Sequence, residues 1–85
     1  MITQITNADD VASFAKHLIQ VEKLSVHPDD DFNDYTTYET RLPLYTQKEA
    51  ELRTKLMNQC FAVCEPSDIE LYEIFYSERK HSFVN

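Results

Sequence analysis

Apolar residues recur at helical spacing in the first part of this chain, from about Asn7 to Leu24. Asn7 is placed to cap such a helix, and the acidic pair Asp9-Asp10 follows where the helix dipole favours negative charge. The pattern predicts an amphipathic helix that packs one face against a core. The residues of that apolar face are Val11, Phe14, Ala15, Leu18 and Val21.

A second helix is predicted from the capping box Thr46-Gln47-Lys48-Glu49 to about Cys64. In a capping box, the side chains of the first and fourth residues satisfy each other's free backbone donors. The apolar positions of this helix cover a broad arc, which indicates the best buried element of the fold. They are Leu52, Leu56, Met57, Cys60, Phe61, Val63 and Cys64.

A third segment follows Pro66 and begins with a second capping-box pattern, Ser67-Asp68-Ile69-Glu70. The aromatic run to Tyr76 is compatible with a helix or a strand, and we favour the helix. Such a helix carries apolar side chains on two sides, and a small domain covers one of them with its own core. Residues 78–85 show no pattern and are expected to fray. The predicted contacts for a second copy of the chain are Leu71, Ile74 and Phe75.

The connection between the first two helices, roughly Ser25 to Tyr45, is long for a compact domain. It is rich in aromatic residues, and residues 27–45 contribute four of the seven net negative charges. Two interpretations stay open: the rings anchor the connection onto the helices, or rings and carboxylates together recognise a basic partner. The predicted partner-binding residues are Asp29, Asp30, Asp31, Phe32, Asp34, Tyr35 and Tyr38.

These patterns predict an all-α fold, in which residues 1–85 form a single small domain of three helices. A long acidic, aromatic crossover loop joins helices 1 and 2. The absence of glycine from all 85 residues supports this fold class, because tight hairpins and phosphate-binding loops usually require glycine. A hydrophobic fraction of 42% is sufficient for a packed core.

The net charge of −7 argues against direct binding to nucleic acid or to an anionic membrane surface. Cys60 and Cys64 lie four residues apart in a predicted helix, where free buried thiols are favoured over a disulfide or a zinc site. The chain shows no basic and apolar leader and no apolar run long enough to cross a membrane. We therefore expect a soluble, cytoplasmic protein.

The motif His27-Pro28-Asp29-Asp30 resembles the zinc-binding motif of the LmbE-like deacetylases, in which the His and the second Asp hold the metal and the first Asp acts as general base. That family has a large α/β fold, so the resemblance supplies an alternative function, a metal-binding hydrolase-like fragment. Asp29, Asp31 and Asn33 also fall at the first, third and fifth positions of an EF-hand-like calcium loop, but local Asx turns explain the same residues. No catalytic residue, metal ligand or cofactor is assigned.

The run from His27 to Tyr35, followed by Tyr45-Thr46-Gln47-Lys48-Glu49-Ala50 and the stripe to Cys64, is similar in general style to small uncharacterised acidic proteins of Bacteroides-type bacteria. The similarity implies a bacterial origin and a cytoplasmic location, and it transfers no functional residue.

We expect a non-catalytic interaction or accessory protein whose protein partner has a basic surface, with self-association into a homodimer through the third segment. An acidic inhibitor that mimics nucleic acid is a further alternative.

Overall fold

The computed structural model describes residues 2–24, 26–36 and 45–83, with side chains described up to residue 80. Within these ranges the chain forms three α-helices and no strand, so the predicted all-α class is confirmed. Helix α1 spans Ala8–Lys16, α2 spans Gln47–Cys64 and α3 spans Leu71–Phe83. A π-helical turn, His17–Val21, continues α1, and a 3-10 helix, Phe32–Thr36, lies in the connection to α2. None of the described helices combines the length and apolar composition needed to cross a membrane.

The caps predicted at the starts of α1 and α2 are both present. The Asn7 side chain accepts a hydrogen bond from the Asp10 backbone N–H at 2.9 Å. At α2, Thr46 Oγ1 accepts from the Glu49 N–H at 3.2 Å, and Glu49 Oε1 accepts from the Thr46 N–H at 2.8 Å. Each helix therefore begins where its sequence predicts, with backbone donors satisfied by side chains.

The predicted capping box Ser67-Asp68-Ile69-Glu70 is wrong, because these residues finish the turn after α2. Asp68 adopts the left-handed region, with φ 56°. The Ile69 N–H donates to the Cys64 carbonyl at 3.0 Å and the Asp68 N–H donates to the Glu65 carbonyl at 3.3 Å, which together form a Schellman motif. An aspartate thus takes the place that glycine usually occupies, and α3 begins only at Leu71.

Helix α3 extends to Phe83, so the expectation that the chain frays from residue 78 is wrong for residues 78–83. The extended helix makes contacts with distant parts of the chain. Gln20 Nε2 donates to Glu78 Oε2 at 3.1 Å, which ties α3 to the π-helical turn. The helical interpretation of residues 71–76 is confirmed.

One hydrophobic core is shared by the three helices. Leu71 and Phe75 lie inside it, 4% and 1% exposed, and Ile74 packs against it. The prediction that Leu71 and Phe75 contact a second copy is therefore corrected, because the chain itself buries them, whereas Ile74 is only partly buried. The opposite side of α3 carries Tyr72 and Tyr76, which are exposed. The largest fully buried side chains are Phe14, Phe32, Phe75, Leu18, Ile19, Leu56, Val11, Val26 and Cys60.

Three rings of the connection anchor it to this core. Phe32 and Tyr35 from the 3-10 helix and Tyr45 before α2 are all buried, with ring centroids 6.0 to 6.3 Å apart. The Tyr45 N–H also donates to the Tyr35 carbonyl at 3.3 Å. Such tilted ring pairs add to the stability gained from their burial. The anchoring interpretation of these rings is the one that the structure supports.

An ion pair between a partly buried glutamate and a buried arginine joins the end of the π-helical turn to α2. Arg53 is only 6% exposed, and its guanidinium donates to both carboxylate oxygens of Glu22, with Nε 3.1 Å from Oε1 and Nη2 paired with Oε2. Tyr45 Oη donates to Glu22 Oε1 at 2.6 Å. The guanidinium carbon of Arg53 lies 4.2 Å from the centroid of the Tyr45 ring. We refer to Glu22, Tyr45 and Arg53 as the polar triad.

The polar triad keeps its charges despite burial. Burial alone would raise the pKa of Glu22, but hydrogen bonds from Arg53 and Tyr45, together with the charge of Arg53, hold that pKa below its ordinary value. Burial opposes the charge of Arg53 too, yet hydrogen bonding to Glu22 raises the pKa of Arg53. Burial and the neighbouring carboxylate raise the pKa of Tyr45, so its hydroxyl stays protonated as a donor. His17 Nε2 lies 3.4 Å from Glu22 Oε2.

Replacing Arg53 with Met should lower the free energy of unfolding by roughly 2–4 kcal/mol, because the Glu22 carboxylate would stay partly buried without its main partner. Chemical denaturation at neutral pH measures the change. The double variant Arg53→Met/Glu22→Leu removes both charges and should recover much of the loss, since no buried charge is then unpaired. A loss below about 0.5 kcal/mol in Arg53→Met would show that the pair stabilises the fold no more than a surface ion pair does.

Stability should fall more steeply in acid for the wild type than for Glu22→Gln. The folded-state pKa of Glu22 lies below its ordinary value of 4.5, so its stabilising contribution is complete above that value and is lost as the pH falls through the folded pKa. Urea denaturation at a series of pH values between neutral and about 3 compares the two proteins. Parallel pH profiles would show that Glu22 carries no such contribution.

Candidate functional site

A cleft opens between the acidic part of the connection and one face of α2. Its volume is about 360 Å³. One wall is the segment from Pro28 to Phe32, and the other is formed by α2 residues at helical spacing. We call it the acidic cleft, and its α2 residues are Thr54, Met57, Asn58 and Phe61.

The floor and the rim of the acidic cleft differ in polarity. Phe32 and Met57 are buried and belong to the core, and Phe61 is partly buried and packs against that core. Asp29 and Asp31 are exposed at the rim. A site with apolar side chains below and carboxylates above is suited to a ligand that carries both an apolar group and a positive charge.

Local hydrogen bonds shape the rim. Asp30 Oδ2 accepts from the His27 N–H at 3.0 Å and from Tyr35 Oη at 3.4 Å, so this carboxylate fastens the segment to a buried ring. Asp31 Oδ1 accepts from the Asn33 N–H at 3.0 Å, the Asx turn expected for this segment. Part of the acidic character of the connection is therefore used to define its own conformation.

Helix α3 contacts the same segment from another side. Tyr72 Oη donates to Asp29 Oδ1 at 2.7 Å, and Arg79 Nη1 lies 2.7 Å from His27 Nε2. Because Tyr72 and Arg79 are seven residues apart, they share one face of the helix, and α3 runs beside residues 27–29. Hydrogen bonding to Asp29 raises the pKa of Tyr72, so the hydroxyl remains a donor.

The predicted partner-binding residues fall into different environments. The three adjacent aspartates, Asp29, Asp30 and Asp31, line the acidic cleft with Phe32 in its floor. Phe32 and Tyr35 are 1% and 7% exposed, so the prediction that they are surface contacts is corrected: both rings belong to the core and anchor the connection. Asp34 is exposed on the 3-10 helix and is not among the residues lining the cleft. Tyr38 lies outside the described residues.

Sequence patterns missed the α2 wall and the contribution of α3. Thr54 and Asn58 are polar residues four positions apart beside Phe61, and this spacing was a signal for a solvent-facing wall next to an apolar side chain. The contact between Tyr72 and Asp29 spans 43 positions along the chain. No local pattern indicates such a pair, because it depends on how α3 packs.

No group of three or more His, Cys, Asp or Glu side chains is placed to hold a metal ion within the described ranges of the chain. In the deacetylase-like motif, the His27 ring faces Arg79, and Asp30 accepts from the His27 backbone. Cys60 and Cys64 are free, buried thiols. Burial raises the pKa of Cys60 to about 12, which disfavours the thiolate that a metal ligand or nucleophile requires.

No protein-family model matches this chain, and neither the curated proteins nor the solved structures compared with it gave a match. The chemistry of the acidic cleft is therefore the basis on which a function can be proposed. The carboxylate rim, the apolar floor and the contacts from α3 are its three defining features.

The native protein should react slowly with a thiol reagent such as DTNB at about pH 8, because both cysteines are buried and ionisation of Cys60 is disfavoured. In denaturant both thiols should react rapidly, which provides the control in the same sample. Cys60→Ala should lower the free energy of unfolding by roughly 1–2 kcal/mol through the lost packing. Rapid labelling of the native protein would contradict burial of the thiols.

Proposed function

We propose that this chain is a non-catalytic protein-interaction module whose acidic cleft binds a basic, amphipathic segment of a partner protein. The observation that carries the proposal is the joint presence of three aspartates and an apolar floor in one cleft of about 360 Å³. An apolar side chain of the partner packs against the apolar floor of the cleft, and neighbouring Lys or Arg side chains form ion pairs with the aspartates of the rim. The surrounding contacts exclude water from these charges.

The charge distribution supports this proposal. Each rim aspartate uses one oxygen in the hydrogen bonds described for this part of the chain: Asp29 Oδ1, Asp30 Oδ2 and Asp31 Oδ1. The second oxygen of each carboxylate makes no hydrogen bond or ion pair among the described residues. Three adjacent negative charges repel one another, and a cationic partner relieves that repulsion. A net charge of −7 also accelerates the approach of a basic partner.

The size of the acidic cleft favours a peptide segment over a large cofactor. A volume of about 360 Å³ is at the lower end of the range for small-molecule pockets. It accommodates one or two anchoring side chains, while the rest of a peptide lies across the rim. Self-association through Leu71, Ile74 and Phe75 is not part of the proposal, because the chain buries Leu71 and Phe75 and leaves Ile74 only partly exposed.

Removing rim charge should weaken binding of a basic amphipathic peptide without unfolding the protein. A short fluorescent peptide that alternates Lys and Leu is a suitable probe, with fluorescence anisotropy as the measurement. Asp29→Asn/Asp31→Asn keeps an amide oxygen to accept the hydrogen bonds from Tyr72 and Asn33. Affinity at low salt should fall roughly three- to tenfold, and the dependence on salt should become shallower.

A matched control removes the same charge elsewhere. Asp9→Asn/Glu65→Gln changes two exposed carboxylates that do not line the acidic cleft and should leave peptide affinity close to that of the wild type at each salt concentration. Asn58→Arg introduces a cation into the cleft itself and should compete with the peptide. Binding that survives the Asp29/Asp31 double variant unaltered at low and high salt would exclude the acidic cleft as the recognition site.

A further inference from the structure

The polar triad in the core and the rim of the acidic cleft share a local arrangement. In the core, Tyr45 Oη donates to the Glu22 carboxylate at 2.6 Å. Arg53 completes this pair by donating to the same carboxylate while its guanidinium lies 4.2 Å from the centroid of the tyrosine ring. The result is a tyrosine, a carboxylate and an arginine that satisfy one another.

At the surface, the first two members of this arrangement recur without the third. Tyr72 Oη donates to Asp29 Oδ1 at 2.7 Å, close to the distance in the core. Among the residues that the structure describes, no Lys or Arg forms an ion pair with Asp29 or lies over the Tyr72 ring. Tyr72 as a whole is 46% exposed and therefore accessible to a partner.

We infer that Tyr72 and Asp29 form the receptor for an arginine side chain of the partner. The inference rests on the proposed function, since the arginine belongs to the segment that occupies the acidic cleft. Its guanidinium takes the position that Arg53 has in the core. It donates to the second oxygen of Asp29 and lies on the face of Tyr72.

Arginine fits this receptor better than lysine. A guanidinium is planar, so it stacks on an aromatic ring and still donates several hydrogen bonds in its own plane. An ammonium is a compact, strongly hydrated charge that loses more hydration in the same position. Tyr76 lies one helical turn beyond Tyr72 and is 57% exposed, which extends the aromatic surface along α3.

The receptor is held in place before the partner binds. Hydrogen bonding between Tyr72 and Asp29 fixes the carboxylate relative to α3. The contact between Arg79 and His27 fixes the other end of the same short segment. Because the carboxylate and the ring are already positioned, binding costs less conformational entropy than it would at a free loop.

The test compares two amphipathic peptides of equal length and charge that carry Arg or Lys at every cationic position. The wild type should bind the Arg peptide about two- to fivefold more tightly, the range expected for an exposed cation–aromatic contact. Tyr72→Leu should abolish this preference, while Tyr72→Phe, which keeps the ring, should retain part of it. Val21→Ala removes an exposed apolar side chain on another element and serves as the control that keeps the preference.

Asp29→Asn should also abolish the preference, because the amide still accepts from Tyr72 but carries no charge. This variant keeps the inference testable if Tyr72→Leu fails to fold, which circular dichroism checks for each protein. Equal affinity of the wild type for the two peptides, with both weakened by Asp29→Asn/Asp31→Asn, would overturn the arginine receptor and leave the proposed function standing. A preference that persists in Tyr72→Leu or Asp29→Asn would also overturn it. Failure of both peptides to bind the wild type would overturn the proposed function itself.

Discussion

The pairing of Glu22 with Arg53 is the interaction on which the arrangement of the described elements depends. A charge pair of this kind costs desolvation free energy, and good geometry with further hydrogen bonds is needed to offset that cost. Here Glu22 accepts from both the guanidinium and Tyr45, while Arg53 Nη1 donates to the Glu49 carbonyl at 3.0 Å. The pair therefore specifies one geometry: the residue that follows the π-helical turn, the first half of α2 and Tyr45, two residues before α2, meet at a single point.

That meeting point positions the acidic cleft through a continuous set of contacts. Tyr45 is fixed by Glu22 and packs against Phe32 and Tyr35, which belong to the 3-10 helix. Tyr35 in turn donates to Asp30 at the rim. A small domain has little apolar area with which to hold a long connection. Aromatic rings with a polar end solve this problem, since they bury a large surface and still place a hydroxyl beside a carboxylate.

Sequence signals between neighbouring residues predicted the two helices α1 and α2. Helical periodicity and side-chain caps located α1 and α2, because both signals come from residues within one or two turns. The polar triad was not predictable in the same way: Glu22 and Arg53 are 31 positions apart, and an arginine inside an amphipathic helix ordinarily indicates a solvated face. The third segment shows a different failure. Asp68 belongs to a sequence that resembles an N-terminal capping box, but it occupies the left-handed position at the end of α2. In the acidic cleft, the aspartates were predictable from composition, whereas Thr54, Asn58 and Tyr72 join them through packing.

Within the ranges that the structure describes, Lys23 and Asp68 have left-handed backbones, and they affect the unfolded state as well as the folded one. A side chain at such a position costs on the order of 1 kcal/mol relative to glycine in the folded chain. Glycine, however, gives the unfolded chain more conformations to lose, a penalty of roughly 0.4–1 kcal/mol at each position. These effects oppose each other and are similar in size. A chain with no glycine in 85 residues thus has an unfolded ensemble of reduced entropy, which offsets much of the strain at the two turns that end its helices.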